Sequence, residues 1–392
     1  MKGHRYWMAV VFFLLAAAPG FWWPVLANIL TAYGLEDWKV GVFLVPPIAG
    51  MISPLIFGAQ VDRRFQAQKV LAWIMISGAG FLYLAFHAME EGWGGGWVFG
   101  LFLVNGFISA PAWSLLTTIT LSNLADPGKS FGSFRVWGTL GWMIAGWLVS
   151  WLALDFSATT GKAAAGIRIL AGGCCFLLPV TLPKGAKARN WMDVLGLSAI
   201  KLLKDRDLFV YYSTALLFTI PLSAYYLHTP EHLADLGIKK VSAAMTTAQA
   251  METVAMLAMG VVIARYRVKT ILLVAIGAGV LRYGFYAMDE VSWLILGITL
   301  HGICWTFFFE AGKVFVHRRV EEGVRTQAQA LLTFFTGGIA GLVGVPFVEW
   351  LKSSVVPEYG WSLYWNLLTV LNCLAMAIFA IGYRGLPVNR DR

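Results

Sequence analysis

Ser133 to Trp147 reads SFRVWGTLGWMIAGW and opens an apolar run that continues to about Leu154. A helix of that length crosses the ~30 Å hydrocarbon core of a bilayer. Its first turns carry one guanidinium, Arg135, beside Thr139 and three glycines, Gly138, Gly141 and Gly146. A cation at the edge of hydrocarbon is costly unless it snorkels, pairs or faces water. Glycines remove side-chain bulk, so another helix or a ligand can approach the backbone. Arg135 is therefore part of a cavity wall or a cytoplasmic-end arginine reaching lipid phosphate.

The rest of the chain has the same character. Of 392 residues, 58% are hydrophobic and 13% charged, about half the charge of a soluble domain. The apolar residues come in long runs, which indicates a polytopic helical membrane protein. Its net charge of +9 sits in short loops that set topology and meet anionic headgroups, so nucleic acid is not an expected partner. Cys174, Cys175, Cys304 and Cys373 lie inside apolar runs without CxxC spacing and read as small apolar residues. Lys2, Arg5 and Ala16-Ala17-Ala18 mimic a signal peptide, but the apolar run continues to Leu30, as an uncleaved first span.

Twelve spans are expected, at 7–30, 39–60, 69–88, 97–121, 132–154, 165–182, 208–229, 242–264, 270–288, 292–316, 327–350 and 361–383. Pro24, Pro46-Pro47, Pro111, Pro221 and Pro346 mark kinks. Of 30 Lys and Arg, 21 fall in the tails and in loops on the N-terminal side. Six fall opposite: Lys39, Lys162, Arg168, Lys239, Lys240 and Lys352. This positive-inside bias predicts that both termini are cytoplasmic. The longest polar connection divides the chain into an N-terminal six-helix bundle (1–183), a cytoplasmic linker (184–206) and a C-terminal six-helix bundle (207–392). Within the linker, 191–203 has the pattern of an amphipathic helix lying on the membrane. Gly58 followed by Arg63 and Gly260 followed by Arg265 give a faint repeat between the halves.

Three cations remain for the membrane interior, Arg135, Arg282 and Lys313, with two carboxylates, Glu252 and Glu310. Glu252 lies mid-span with Gln249 three residues earlier on the same helix face. A poorly hydrated carboxylate there can bind and release a proton, and the Gln249 amide can donate and accept. The alternative is a structural Glu252–Arg135 pair. Glu310 and Lys313 are spaced as a local ion pair or as part of a cytoplasmic gate, and Arg282, near Asp289, reads as structural. His301 and Trp305, four apart, can stack on and hydrogen-bond a planar ring. Pro221, Ser223 and Tyr225 can open the seventh span to polar contacts, and Asn28 and Asn105 are further polar candidates.

These residues resemble the nucleoside:proton symporter family of the major facilitator superfamily over most of the chain. The resemblance rests on RVWGT at Arg135–Thr139 with Gly141, Gln249-x-x-Glu252, Leu281-Arg282, GKVFV at Gly312–Val316, and Arg325-x-x-Ala328-Gln329. Gly58 to Asp62-Arg63 is a general superfamily turn, read as gate or structural charge like Glu310 and Lys313. The resemblance implies that Arg135, Thr139, Gln249 and Glu252 contact substrate or support coupling, with aromatics matched by Trp142 and Trp305. The chain departs from the family pattern at Thr306, where the family has aspartate. His301 replaces a tyrosine, and Ile220 and Ser223 replace a Gln-x-x-Asn pattern. Loss of that aspartate leaves Glu252 as the better remaining proton site.

The expected protein is a twelve-helix alternating-access carrier of the inner membrane and no enzyme: no nucleophile triad, metal cluster or phosphate loop is legible. It is expected to work as a monomer without cofactor, taking up a nucleoside or related polar ring compound with protons. Glu252 would be protonated from outside while substrate docks against Gln249, Arg135 and Trp305. A sugar or drug-like solute on the same scaffold is one alternative. A non-transporting membrane sensor is another, against which the intramembrane Arg135 and Glu252 argue.

Overall fold

The computed structural model describes residues 2–124, 127–182, 190–194, 197–321 and 324–385; side chains are described except at 2–3, 54–64, 127–130, 193–194 and 326. The described residues are helical and contain no strand. This follows from a chain with long apolar runs, because lipid offers no partner for a free backbone N–H or C=O.

The first unit holds α1 (Lys2–Trp22), α2 (Lys39–Arg64), α3 (Ala67–Glu90), α4 (Gly95–Ser122), α5 (Pro127–Trp151) and α6 (Thr159–Cys175). After α1, a tight turn at Trp23–Val25 takes Pro24, which has no N–H to donate, and the helix resumes at Leu26–Ala32. Pro111 interrupts α4 in the same way, between Gly95–Ser109 and Ala112–Ser122. The core packs α1 against α5 and α6, and α3 against α4 and α6, around Val11, Phe12, Leu71, Met75, Leu116 and Cys175. The unit comprises Met1–Arg189 and also Tyr226–Thr246, the segment after the seventh helix.

The second unit comprises Asn190–Tyr225 and Thr247–Arg392. It contains most of α7 (Arg206–Leu227) and of α8 (Val241–Arg265), with α9 (Val268–Tyr286) and α10 (Val291–Arg319). A 56-residue apolar stretch, Gln327–Gly382, closes it. That is more than twice the ~20 residues one crossing needs. Gly360, with φ 75° and ψ 178°, breaks it into α11 (327–359) and α12 (361–382). A side chain would be strained at that φ, so the glycine is what allows the break. Tyr211, Phe218, Leu272, Phe308, Phe315, Leu331 and Phe379 form the core.

Eight described helical stretches are long and apolar enough to cross a membrane. Large apolar side chains stand outward from them: Leu257 is 77% and Ile381 80% exposed, a surface suited to acyl chains and not to water.

Three expectations need correction. The sixth span lies at Thr159–Cys175, earlier than 165–182, and Arg168 is not a loop residue but is buried inside it. The segment opens with small residues that hydropathy underrates. Gly161 lies flush on the Phe86 ring, and Lys162 turns aside to pair with Glu90. Lys39, also expected in an outer loop, begins α2 and is buried. Finally, 191–203 is not one amphipathic helix among its described residues. Trp191–Val194 is a single turn and Leu197–Lys204 a 3₁₀ segment whose Leu197, Leu202 and Leu203 pack on the second unit's core.

Candidate substrate site

In the first unit, Arg135 is fixed by what surrounds α5. A Cβ at Gly141 would strike the Phe13 carbonyl oxygen, and one at Gly20 would lie 3.0 Å from Trp142 Cα. α1 and α5 therefore cross backbone against backbone, and the approach those glycines permit is that of a helix. Beside the crossing, half-buried Arg135 donates from Nη1 to Thr139 Oγ1 at 3.5 Å. Its guanidinium lies 4.7 Å from the Trp113 ring centroid, a cation–π contact worth about 0.5–2 kcal/mol. Thr139 is buried, and the Trp142 ring stands 6.3 Å from that of Tyr226. The carry-over of RVWGT did not identify Trp113; its one sequence signal is its place just after the Pro111 break.

In the second unit, Gln249 and Glu252 are both buried on α8, 6% and 8% exposed. A Cβ at Gly302 would strike Glu252 N and come 2.6 Å from Ala248 O. Bare Gly302 thus seats α10 on the backbone that carries both polar side chains. Gln249 Oε1 has no hydrogen-bond partner among the described residues.

His301, next to that glycine, is stacked on Tyr225 at 4.2 Å with 7° between planes, and lies 6.0 Å from Trp305. Arg282 Nη1 meets His301 Nδ1 at 3.0 Å. A guanidinium only donates, so Nδ1 accepts and the neutral ring carries its proton on Nε2. Arg282 itself is buried against the rings of Tyr225, Tyr283 and Tyr286. Sequence spacing linked His301 to Trp305 but not to Tyr225 or Arg282, which lie on other helices.

α10 then makes a π-helical turn at Trp305–Glu310, the kind of local irregularity often found at functional sites. Thr306 is fully buried there, its hydroxyl without a partner among the described residues. Below it, Lys313 Nζ donates to Glu310 Oε1 at 2.7 Å, and Gln329 Nε2 donates to the Lys313 carbonyl at 2.7 Å. Ser223 lies against α11, its Oγ 2.5 Å from where a Cβ at Gly344 would be. The side chains of Asp62 and Arg63 lie outside the described residues.

A family model described as nucleoside H+ symporter matches residues 4–386 of this chain. The chain is 30% identical over 380 residues to the putative nucleoside transporter YegT of Escherichia coli (strain K12), covering 92% of this chain and 88% of that one. It is 25% identical over 369 residues to the nucleoside permease NupG of the same strain, covering 87% of each. The crystal structure of the nucleoside transporter NupG superposes with a TM-score of 0.83 at 22% identity, over 97% of this chain and 99% of that one. The fold is the expected all-α major facilitator fold.

Proposed function

This chain belongs to the nucleoside H+ symporter family and is a membrane-spanning carrier, not an enzyme; on that premise we propose which of its residues take up a nucleoside with protons by alternating access. We assign substrate contact to Arg135, Thr139 and Trp142 on α5 of the first unit and, in the second unit, to Gln249, Glu252, His301, Trp305 and Ser223.

The observation that carries this reading is the Gln249–Glu252 pair, buried on one face of α8 where Gly302 admits α10. Glu252 takes the proton. Gln249 presents a buried amide oxygen with no protein partner among the described residues, suited to a donor group on the solute. His301, held through Nδ1, has its Nε2–H left to donate, and Trp305 flanks it one turn further along α10. Release of proton and nucleoside inward resets the carrier. Asp62, Arg63, Glu310 and Lys313 serve as gate charges. We place the protein in the inner membrane as a monomer with both termini cytoplasmic, its basic loops on anionic lipid.

The test is uptake of labelled uridine into proteoliposomes with and without an inward proton gradient. Gradient-stimulated uptake is expected; absence of such uptake for every nucleoside tried would remove the substrate assignment.

A further inference from the structure

α6 carries a guanidinium that the proposed site does not use. Arg168 is 6% exposed inside the first unit. Its Nη1 donates to Asn105 Oδ1 at 2.7 Å and its Nη2 to Ser109 Oγ at 2.6 Å; Ser109 Oγ donates in turn to Asn105 Oδ1 at 3.1 Å. A Cβ at Gly78 would strike Arg168 Nη2, so α3 is bare where the guanidinium rests. The niche is built, then, by three helices around one cation.

No carboxylate pairs with Arg168 among the described residues, and its Nε has no hydrogen-bond partner there. The two bonded partners are neutral and use two of the five N–H groups. A buried cation held by two neutral acceptors, with Nε unmet, gains from any further acceptor that reaches it. Room for one exists. Arg168, Asn105 and Ser109 form the polar end of a cavity of about 210 Å³ walled by Trp22, Met75 and Trp113. Trp113 is the same ring on which Arg135 lies, so the cavity adjoins the α5 motif. Aromatic walls with donors at one end suit a planar ring that bears oxygen acceptors.

We propose that this cavity is a base-reading subsite, in which Arg168 donates to the exocyclic oxygens of a nucleobase stacked on Trp113. The proposal rests on the nucleoside reading and narrows it. A base that presents an exocyclic amino group there sets donor against donor and leaves buried N–H groups unmet, so oxo-bases are favoured over amino-bases.

The full chain in proteoliposomes, assayed for KM with uridine, inosine, cytidine and adenosine, tests this. The wild type is expected to favour uridine and inosine by about tenfold, the scale of one base contact. Arg168→Gln should raise KM for those two by a similar factor and leave cytidine and adenosine within about twofold, with Arg168→Lys partly restoring the preference. An equal change for all four, or none, overturns the proposal. Should Arg168→Gln fail to insert, Asn105→Ala keeps the charge but frees the guanidinium, and must narrow the same preference. Were the wild type to transport no nucleoside, the transport reading would fall by itself. Quenching of tryptophan fluorescence, absent in Trp113→Phe, then decides the subsite: it stands if uridine quenches at lower concentration than cytidine and falls if the two are equal.

Discussion

Lys39 and Glu231 form a buried ion pair across 192 residues of chain, joining the first residue of α2 to the short helix Thr229–Asp235 that follows α7. Both belong to the first unit, so this pair and the Asn28 Nδ2 bond to the Pro230 carbonyl (3.0 Å) fasten the 226–246 segment there. Removing one partner leaves an uncompensated buried charge. Lys39→Met is expected to cost about 3–5 kcal/mol, and the double variant Lys39→Met with Glu231→Met to recover most of it. Thermal unfolding in detergent of the two variants checks this; equal loss in both would refute it.

Asp155, in the connection between α5 and α6, accepts from the Ser242 N–H at 2.7 Å and the Ser150 hydroxyl at 2.8 Å. Burial pushes its carboxyl above the ordinary value of 3.8, against the smaller opposing pull of those hydrogen bonds. The folded state thus prefers the protonated form. That contribution is complete below the ordinary value and is lost as pH rises through the raised one. Asp155→Asn should gain in melting temperature relative to wild type as pH goes from about 4 to 7, whereas Asp155→Ala loses the acceptor at every pH. A difference between Asn and wild type that stays flat with pH would contradict the burial argument.

Two glycines are expected to be irreplaceable for a steric reason. A methyl at Gly141 strikes the Phe13 carbonyl, and one at Gly302 strikes the α8 backbone at Glu252. Backbone cannot swing aside as a side-chain tip does, so Gly141→Ala and Gly302→Ala should each cost about 1–3 kcal/mol and most of the uptake. Gly260 and Gly277 have nothing within 4 Å of an added Cβ, and alanine there should be silent. Expression, melting temperature and uptake of the four variants, taken together, check the contrast.

Glu252→Gln keeps size and hydrogen-bonding capacity but cannot carry a proton. Uptake by this variant is expected to lose its response to an inward proton gradient, by about tenfold or more, while nucleoside binding persists. Exchange of labelled for unlabelled uridine at equal pH on both sides measures the retained half of that statement. A gradient response equal to wild type would move proton coupling to another residue.

Glu310 and Lys313 illustrate what was legible in the sequence. Their spacing of three residues predicts one helix face, and the ion pair is there. Apolar run length likewise indicated the helical class and most spans, since a lipid-embedded backbone has few ways to satisfy its hydrogen bonds. The Arg135–Thr139 and Gln249–Glu252 pairs were visible for the same reason: helix periodicity fixes neighbours three and four apart.

What the sequence alone determined is therefore local: which stretches are helices in lipid, which carry charge, and which polar groups share a helix face. Tertiary structure alone decided which groups meet across helices. Arg168 reads as a loop residue until α3, α4 and α6 close around it, and Lys39 reads as solvated until Glu231 reaches it from a distant segment. His301 reads as a ligand for a ring, and the fold gives its faces to Tyr225 and Trp305 and its Nδ1 to Arg282. Helix spacing is set by bonds within a few residues, whereas the partner of a buried polar group is set by packing between segments far apart in the chain, and no one-dimensional period records that.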